Sequence, residues 1–284
     1  MLVDKPSGPT SHDVVARVRR VFGIRSVGHT GTLDPFATGL LVLLLGRATR
    51  LARFVEAAPK TYRAVARLGV RTETDDRTGA PLGEPADPGG LSGPRVQEAV
   101  AGLAGARRQR PPAYSAKHVG GVRSYRLARR GRAVELAEVP VTVHRIELLE
   151  WRPPDVTFRA TVSAGTYLRA LARDLGDVLG VGGHLVELRR ESIGRLSVED
   201  AVPLDRVTPD TPLVPLRTVL GDLAAVALDD AEQAAVRHGR TVADRWAASR
   251  TEDEPVALLG EGDVVAVARA ERGLLRPMVV LEGA

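Results

Sequence analysis

The residues from Gly28 to Leu45 constrain this chain more than any other segment. Gly28-His29-Thr30-Gly31-Thr32-Leu33-Asp34-Pro35-Phe36-Ala37-Thr38-Gly39 carries three glycines and a rigid Asp-Pro step, and it runs straight into Leu40–Leu45, an unbroken apolar run that no other segment exceeds in length. Glycine permits tight backbone turns, and the residue before a proline is held toward extended conformations. The segment therefore predicts a tight loop packed onto a core element, with the polar tip of Asp34 held on the loop. Composition by itself leaves Asp34 as a turn residue.

That apolar run has six residues, where a membrane span takes about 20, so a soluble chain with no membrane partner is expected. Asp4 and Lys5 come almost at once, and no secretory signal is readable. With 284 residues the chain suits one large domain or two unequal ones. It contains no cysteine, which excludes disulfides, iron–sulfur clusters, thiolate zinc sites and cysteine nucleophiles, and fits a reducing cytoplasm.

Charge divides the sequence at Pro203, Pro209, Pro212 and Pro215. Residues 1–212 hold 32 basic and 23 acidic side chains, a net of +9, and residues 213–284 hold 8 and 12, a net of −4. The expected division is a larger domain, 1–212, and a small β-rich C-terminal domain, 213–284. Between 107 and 132, Arg107, Arg108, Arg110, Lys117, Arg123, Arg126, Arg129, Arg130 and Arg132 occur without a carboxylate, interleaved with Tyr114 and Tyr125. Such a block attracts a polyanion, and its tyrosines can stack on bases, so it is read as a nucleic-acid contact; a merely solvated surface is the alternative.

Periodicity predicts a helix capped by Ser11, with Val14, Val15, Val18, Val21 and Phe22 on its apolar face and Gly23 at its end. Thr61–Leu68, Val139–Leu149 and Val156–Ser163 read as strands. Residues 75–93 read as a loop region, Arg95–Leu103 as a short helix and Leu168–Leu179 as a long one. Ala224–Ala235 reads as helical, followed by short strands at Val256–Leu259, Val264–Ala268 and Met278–Leu281. Strands and helices are mixed without regular alternation, which predicts an α+β architecture.

Several chemistries drop out. Gly28–Gly39 lacks the ending of a nucleotide phosphate loop, and Gly180, Gly182 and Gly183 follow a helix, the wrong context for a dinucleotide fingerprint. The six histidines are scattered, none at metal-binding spacing. No nucleophile elbow is present. Neither a cofactor nor a metal is expected.

The Gly28–Leu41 segment resembles the signature of the bacterial tRNA pseudouridine-55 synthase family. Further blocks resemble the same family in order: Lys5-Pro6-Ser7-Gly8 with Thr10-Ser11; Lys60-Thr61-Tyr62-Arg63, Leu68-Gly69 and Thr72–Gly79; Pro111–Ala116 with Gly121, Tyr125, Ala128-Arg129 and Gly131; and Gly165-Thr166-Tyr167-Leu168-Arg169, Asp174-Leu175-Gly176, Leu179-Gly180 and His184–Arg190. The resemblance spans residues 5–196. Lys117 stands one place earlier than the family's usual lysine, and Val162-Ser163 replaces a frequent cysteine.

The resemblance implies a pseudouridine synthase fold, with a mixed, mainly antiparallel central sheet flanked by helices and loops, and a PUA-like C-terminal domain. It implies isomerisation of the T-loop uridine of tRNA, with base flipping and no cofactor, by a cytoplasmic protein expected to be a monomer with no obligate protein partner. Asp34 is the implied catalytic residue, acting on the sugar or the uracil, with Arg169 as the cation that keeps it ionised and Tyr62 packing on the target base. Tyr167 and Leu188 are implied to line the substrate pocket, and His29 to contact RNA where the base is extruded. Asp76 is implied either to order its loop or to hold RNA, with Arg107, Arg108, Arg110, Arg123, Arg126 and Arg129 as further RNA contacts. Alternatives are a non-catalytic RNA-binding or tRNA-folding protein, and a related synthase acting on another RNA.

Overall fold

The computed structural model describes residues 1–114, 118–119, 122–123 and 136–281. The chain divides into two compact units, one of Met1–Pro35, Gly39–Ala58 and Ser192–Ala284, the other of Phe36–Thr38 and Pro59–Glu191.

The first unit is built around the apolar run. Thr38–Leu45 is a strand, antiparallel to Leu2–Lys5, with Leu2 opposite Val42, and antiparallel to Val27–His29, with His29 opposite Leu43. Side chains alternate along a strand, so the run serves two cores. Leu41 and Leu43 pack with Met1, Val3, Val27 and the Val14, Val15 and Val18 face of the helix Ser11–Phe22. Leu40, Val42 and Leu44 pack with Leu51, Val55, Val264, Val267, Val279 and Leu281. A strand buried on both faces shows a continuous apolar run instead of alternation, and burial of each such side chain contributes roughly 1.5–3 kcal/mol.

The helix Ser11–Phe22 is capped by Thr10, one residue before the expected Ser11. The Thr10 hydroxyl accepts from the Asp13 amide at 3.1 Å, and the Asp13 carboxylate accepts from the Thr10 amide at 2.8 Å, a reciprocal capping box. Ser11 is instead 1% exposed and turned inward. Gly23 ends the helix in the left-handed conformation (φ 65°), as expected.

A five-stranded sheet occupies the C-terminal part of this unit in the order Ala224–Ala227, Pro255–Leu259, Val264–Glu271, Leu274–Val280, Val242–Ala243. The helix expected over Ala224–Ala235 is thus a strand followed by the helix Asp230–Arg237. Parallel pairing of Ala224–Ala227 with Pro255–Leu259 outweighs the helical preference of its alanines, and the Asp229–Glu232 capping box starts the helix later.

In the second unit, Lys60–Leu68, Asp155–Val162, Val139–Arg152 and Gly105–Gln109 pair antiparallel in that order, and Gly183–Ile193 borders Lys60–Leu68. The helix Gly93–Ala101 packs on Val139–Arg152 and on the helix Leu168–Leu179, which also lies against Lys60–Leu68. A methyl group on Gly176 of that helix would overlap the backbone of Gly182 and Gly183, so glycine is required for the close approach. The architecture is α+β with mainly antiparallel pairing. Among the described residues no helix is long and apolar enough to cross a membrane.

Candidate active site

Asp34 sits on the loop joining the antiparallel strands Val27–His29 and Thr38–Leu45. The glycines act where expected: Gly31 (φ 123°) and Gly39 (φ 102°) take conformations that other residues rarely adopt. The Thr30 amide donates to the Val42 carbonyl at 3.0 Å, closing the base of the loop. Both neighbours of Asp34 are held. The Ser11 hydroxyl accepts from the Leu33 amide at 2.9 Å and bonds the Leu33 carbonyl at 3.3 Å. The Pro35 carbonyl accepts from the Gly8 amide at 2.8 Å and from Lys5 Nζ at 3.2 Å. Lys5 is fully buried, and its ammonium also donates to the Pro6 and Pro9 carbonyls at 2.9 and 2.8 Å. A buried cation is tolerable only with such satisfaction. The Lys5–Ser11 block is therefore the clamp of the aspartate loop, and it leaves Asp34 half-buried with its backbone fixed on either side. His29 ends its strand half-buried, its ring edge-on to His12 with centroids 5.7 Å apart.

Within the second unit, Arg169 is the second residue of the helix Leu168–Leu179 and is 5% exposed. Its guanidinium donates to the Thr74 carbonyl at 3.0 Å, the Tyr114 carbonyl at 2.8 Å and Asp76 Oδ2 at 3.4 Å. The other Asp76 oxygen accepts from the hydroxyls of Thr74 and Thr78 at 2.7 and 2.6 Å and from the Thr78 amide at 2.9 Å. Asp76 is 4% exposed; its carboxylate organises the Thr72–Gly79 loop. Backbone bonds zip that loop to Leu185, whose amide donates to the Asp75 carbonyl at 3.0 Å and whose carbonyl accepts from Arg77 at 2.9 Å. Asp75 adopts φ 57° and pairs with Arg173 at 2.8 Å. Burial pushes its carboxyl above the usual range, against the opposing pull of Arg173 and Arg169.

Phe36, two residues after Asp34, lies beneath the Arg77 guanidinium, 5.6 Å from ring centroid to Cζ. The Thr38 hydroxyl bonds the Leu188 carbonyl at 3.4 Å. Leu188 is 8% exposed on Gly183–Ile193, and Tyr62 is 7% exposed on the inward face of Lys60–Leu68. Tyr167 is half-buried at the start of the arginine-bearing helix.

Tyr167 is positioned by a residue that sequence reasoning missed. The Gln109 side chain accepts from the Tyr167 amide at 2.8 Å and donates to its carbonyl at 3.2 Å, and Gln109 is 1% exposed. This amide fixes the backbone of Tyr167, whose own side chain makes no cap to the helix. The strand Gly105–Gln109 has no apolar alternation, so nothing periodic marked it; its place just before the Pro111-Pro112 block was the available signal.

The basic block is less uniform in space than along the chain. Arg107 pairs with Asp174 at 3.3 Å and Arg108 with Glu138 at 3.5 Å, so carboxylates from outside the run compensate two of its charges. Arg110 is exposed. The side chains of Arg123, Arg126 and Arg129, with Lys117 and Tyr125, lie outside the described residues. Among the described residues no group of three or more His, Asp or Glu could hold a metal ion.

Residues 19–168 match the family model described as TruB family pseudouridylate synthase (N terminal domain), and residues 169–212 match that of the tRNA pseudouridylate synthase B C-terminal domain. The chain is 44% identical over 273 residues to a tRNA pseudouridine synthase B of Mycobacterium sp. (strain KMS), covering 92% of each. It is 43% identical over 294 residues to the protein of that name from Thermobifida fusca (strain YX), covering 100% of this chain and 98% of the relative. Among solved structures it resembles a chain of the archaeal box H/ACA sRNP Nop10-Cbf5 complex, with TM-score 0.74, 25% identity, and coverage of 99% of this chain and 86% of that one. A chain of a Cbf5-Nop10-Gar1 complex gives TM-score 0.75 at 26% identity, covering 99% and 85%.

Proposed function

The chain belongs to the TruB family of pseudouridylate synthases, and on that premise we propose that it converts the T-loop uridine of tRNA, position 55, to pseudouridine. The bond from the ribose carbon to the uracil nitrogen breaks, the base turns, and a bond to its carbon 5 forms while the proton on that carbon passes to water and the freed ring nitrogen takes up a proton. Atoms and electrons balance without a redox partner.

The observation that carries this reading is the fixed backbone on both sides of Asp34. Ser11 holds Leu33, and Gly8 with Lys5 holds Pro35. A carboxylate on so constrained a loop needs no reorganisation to meet the reacting sugar or uracil, and preorganisation of that kind lowers the barrier. Asp34 acts as the nucleophile or base. Arg169 keeps it ionised, its own guanidinium fixed by Asp76 and two carbonyls. Tyr62 packs on the target base; Tyr167 and Leu188 wall the pocket that receives it once flipped from its stack, and His29 meets the RNA at the point of extrusion. Residues 213–284 are a PUA-like module whose net −4 restricts it to shape-based contact with the tRNA arm or help in folding it. The protein works in the cytoplasm.

The test is release of tritium from carbon-5-labelled uridine in a T-arm hairpin. Wild type releases it, whereas Asp34→Asn releases none and still binds the RNA. Comparable release from the variant overturns the role of Asp34; binding without release by wild type leaves a non-catalytic RNA-binding protein.

A further inference from the structure

A tRNA substrate presents a continuous line of phosphates, and one cationic surface of the first unit has no ion pair among the described residues. Arg17, Arg19 and Arg20 project from the helix Ser11–Phe22, and Arg25 follows its end; all four are exposed. None has an ion-pair partner among the described residues. That separates them from Arg107, Arg108, Arg169 and Arg173, which carboxylates hold. The turn at Gly23 brings Arg25 round to Arg19 and Arg20, and the three line an open cleft of about 500 Å³ together with Ala16, Gly23 and Ile24. The negative end of the helix dipole favours Arg19 and Arg20 in the last turn. It does not account for Arg25 beyond the helix end.

The position of this cleft identifies its occupant. Arg19 donates to the Val27 carbonyl at 2.8 Å, and Val27 begins the strand whose far end, His29, opens the loop bearing Asp34. Val27 and His29 are two residues apart, about 7 Å in a strand. We propose that the cleft of Arg19, Arg20 and Arg25 docks the phosphate backbone of the RNA whose uridine meets Asp34. The inference rests on the reading of Asp34 as the catalytic residue. Arginine suits the task, since its planar fork matches phosphate oxygens in pairs. An anionic lipid surface would meet the same charges, but it has no reason to lie beside a base-modifying loop.

The experiment is binding of a T-arm hairpin over a series of salt concentrations by wild type and by Arg20→Ala/Arg25→Ala. Arg19 is left intact because it braces Val27. The expected result is a log–log salt slope shallower by roughly 1.5 and an affinity roughly tenfold lower at low salt, with the tritium-release rate at saturating RNA unchanged. Arg237→Ala/Arg240→Ala, which removes the same charge from two exposed arginines elsewhere, leaves slope and affinity at the wild-type values. An unchanged slope in the first variant, or an equal loss in the second, overturns the proposal. So does loss of binding to phosphatidylglycerol vesicles with RNA binding intact. Absence of tritium release by wild type would instead count against the function itself.

Discussion

Gln109 holds both backbone groups of Tyr167, and through that residue it sets the first turn of the helix that carries Arg169. Gln109→Met keeps the volume and removes both hydrogen bonds, each contributing about 0.5–1.5 kcal/mol net, while the Tyr167 carbonyl still accepts from the Leu171 amide at 3.2 Å. The expected outcome is a lower Tm and a kcat reduced roughly tenfold or more, because small misplacements of positioned groups are costly, with KM for the RNA changed less than twofold. Steady-state kinetics on the T-arm hairpin with thermal unfolding checks it, and an unchanged kcat removes Gln109 from the positioning role. A buried amide in this setting is invisible to pattern reading. Glutamine is common on surfaces, and only the fold reveals that both ends of this one are used.

At the level of elements, the helix Ser11–Phe22 and the aspartate loop share one short stretch of sequence with two separate duties. Thr10 caps the helix, and Ser11, its neighbour, secures Leu33 beside Asp34. The two substitutions should therefore part. Thr10→Ala costs a cap and lowers Tm by about 2–4 °C with kcat unchanged. Ser11→Ala frees the loop and lowers kcat, with RNA affinity retained. Unfolding curves and tritium release on both variants decide this, and equal kcat values for the two would dismiss the clamp. The helix was legible because its valines repeat at helical spacing. Its capping residue was not, because two adjacent hydroxyls offer the same chemistry and only the position of the loop selects between them. The Gly105–Gln109 strand was illegible for a related reason: with little burial along it, it carries no apolar period.

For the whole molecule, the C-terminal sheet is modular in its strand pairing but not in its core. Its strands pair only with one another, yet Val264, Val267, Val279 and Leu281 share a core with Leu2, Leu40, Val42 and Leu44. At roughly 1.5–3 kcal/mol per buried side chain, losing even half of that burial approaches the 5–15 kcal/mol of a typical protein's stability. A chain ending at residue 212 is therefore expected to lose cooperative unfolding, as followed by circular dichroism against temperature; a sharp transition near that of the full chain would show that the sheet is dispensable. The sequence by itself determined the loop of Asp34, the α+β mixture, the main helices and strands, and the family, because these rest on local backbone preference, short periodicity and contiguous motifs. Only the tertiary structure decided that Lys5 and Ser11 clamp the aspartate loop, that Gln109 holds Tyr167, and that Asp174 and Glu138 compensate Arg107 and Arg108. It likewise revealed that the exposed arginines without a carboxylate partner include those around Gly23. The clamp, the Gln109 bonds and the two ion pairs join residues far apart along the chain, and all of these features are set by packing geometry that no local pattern encodes.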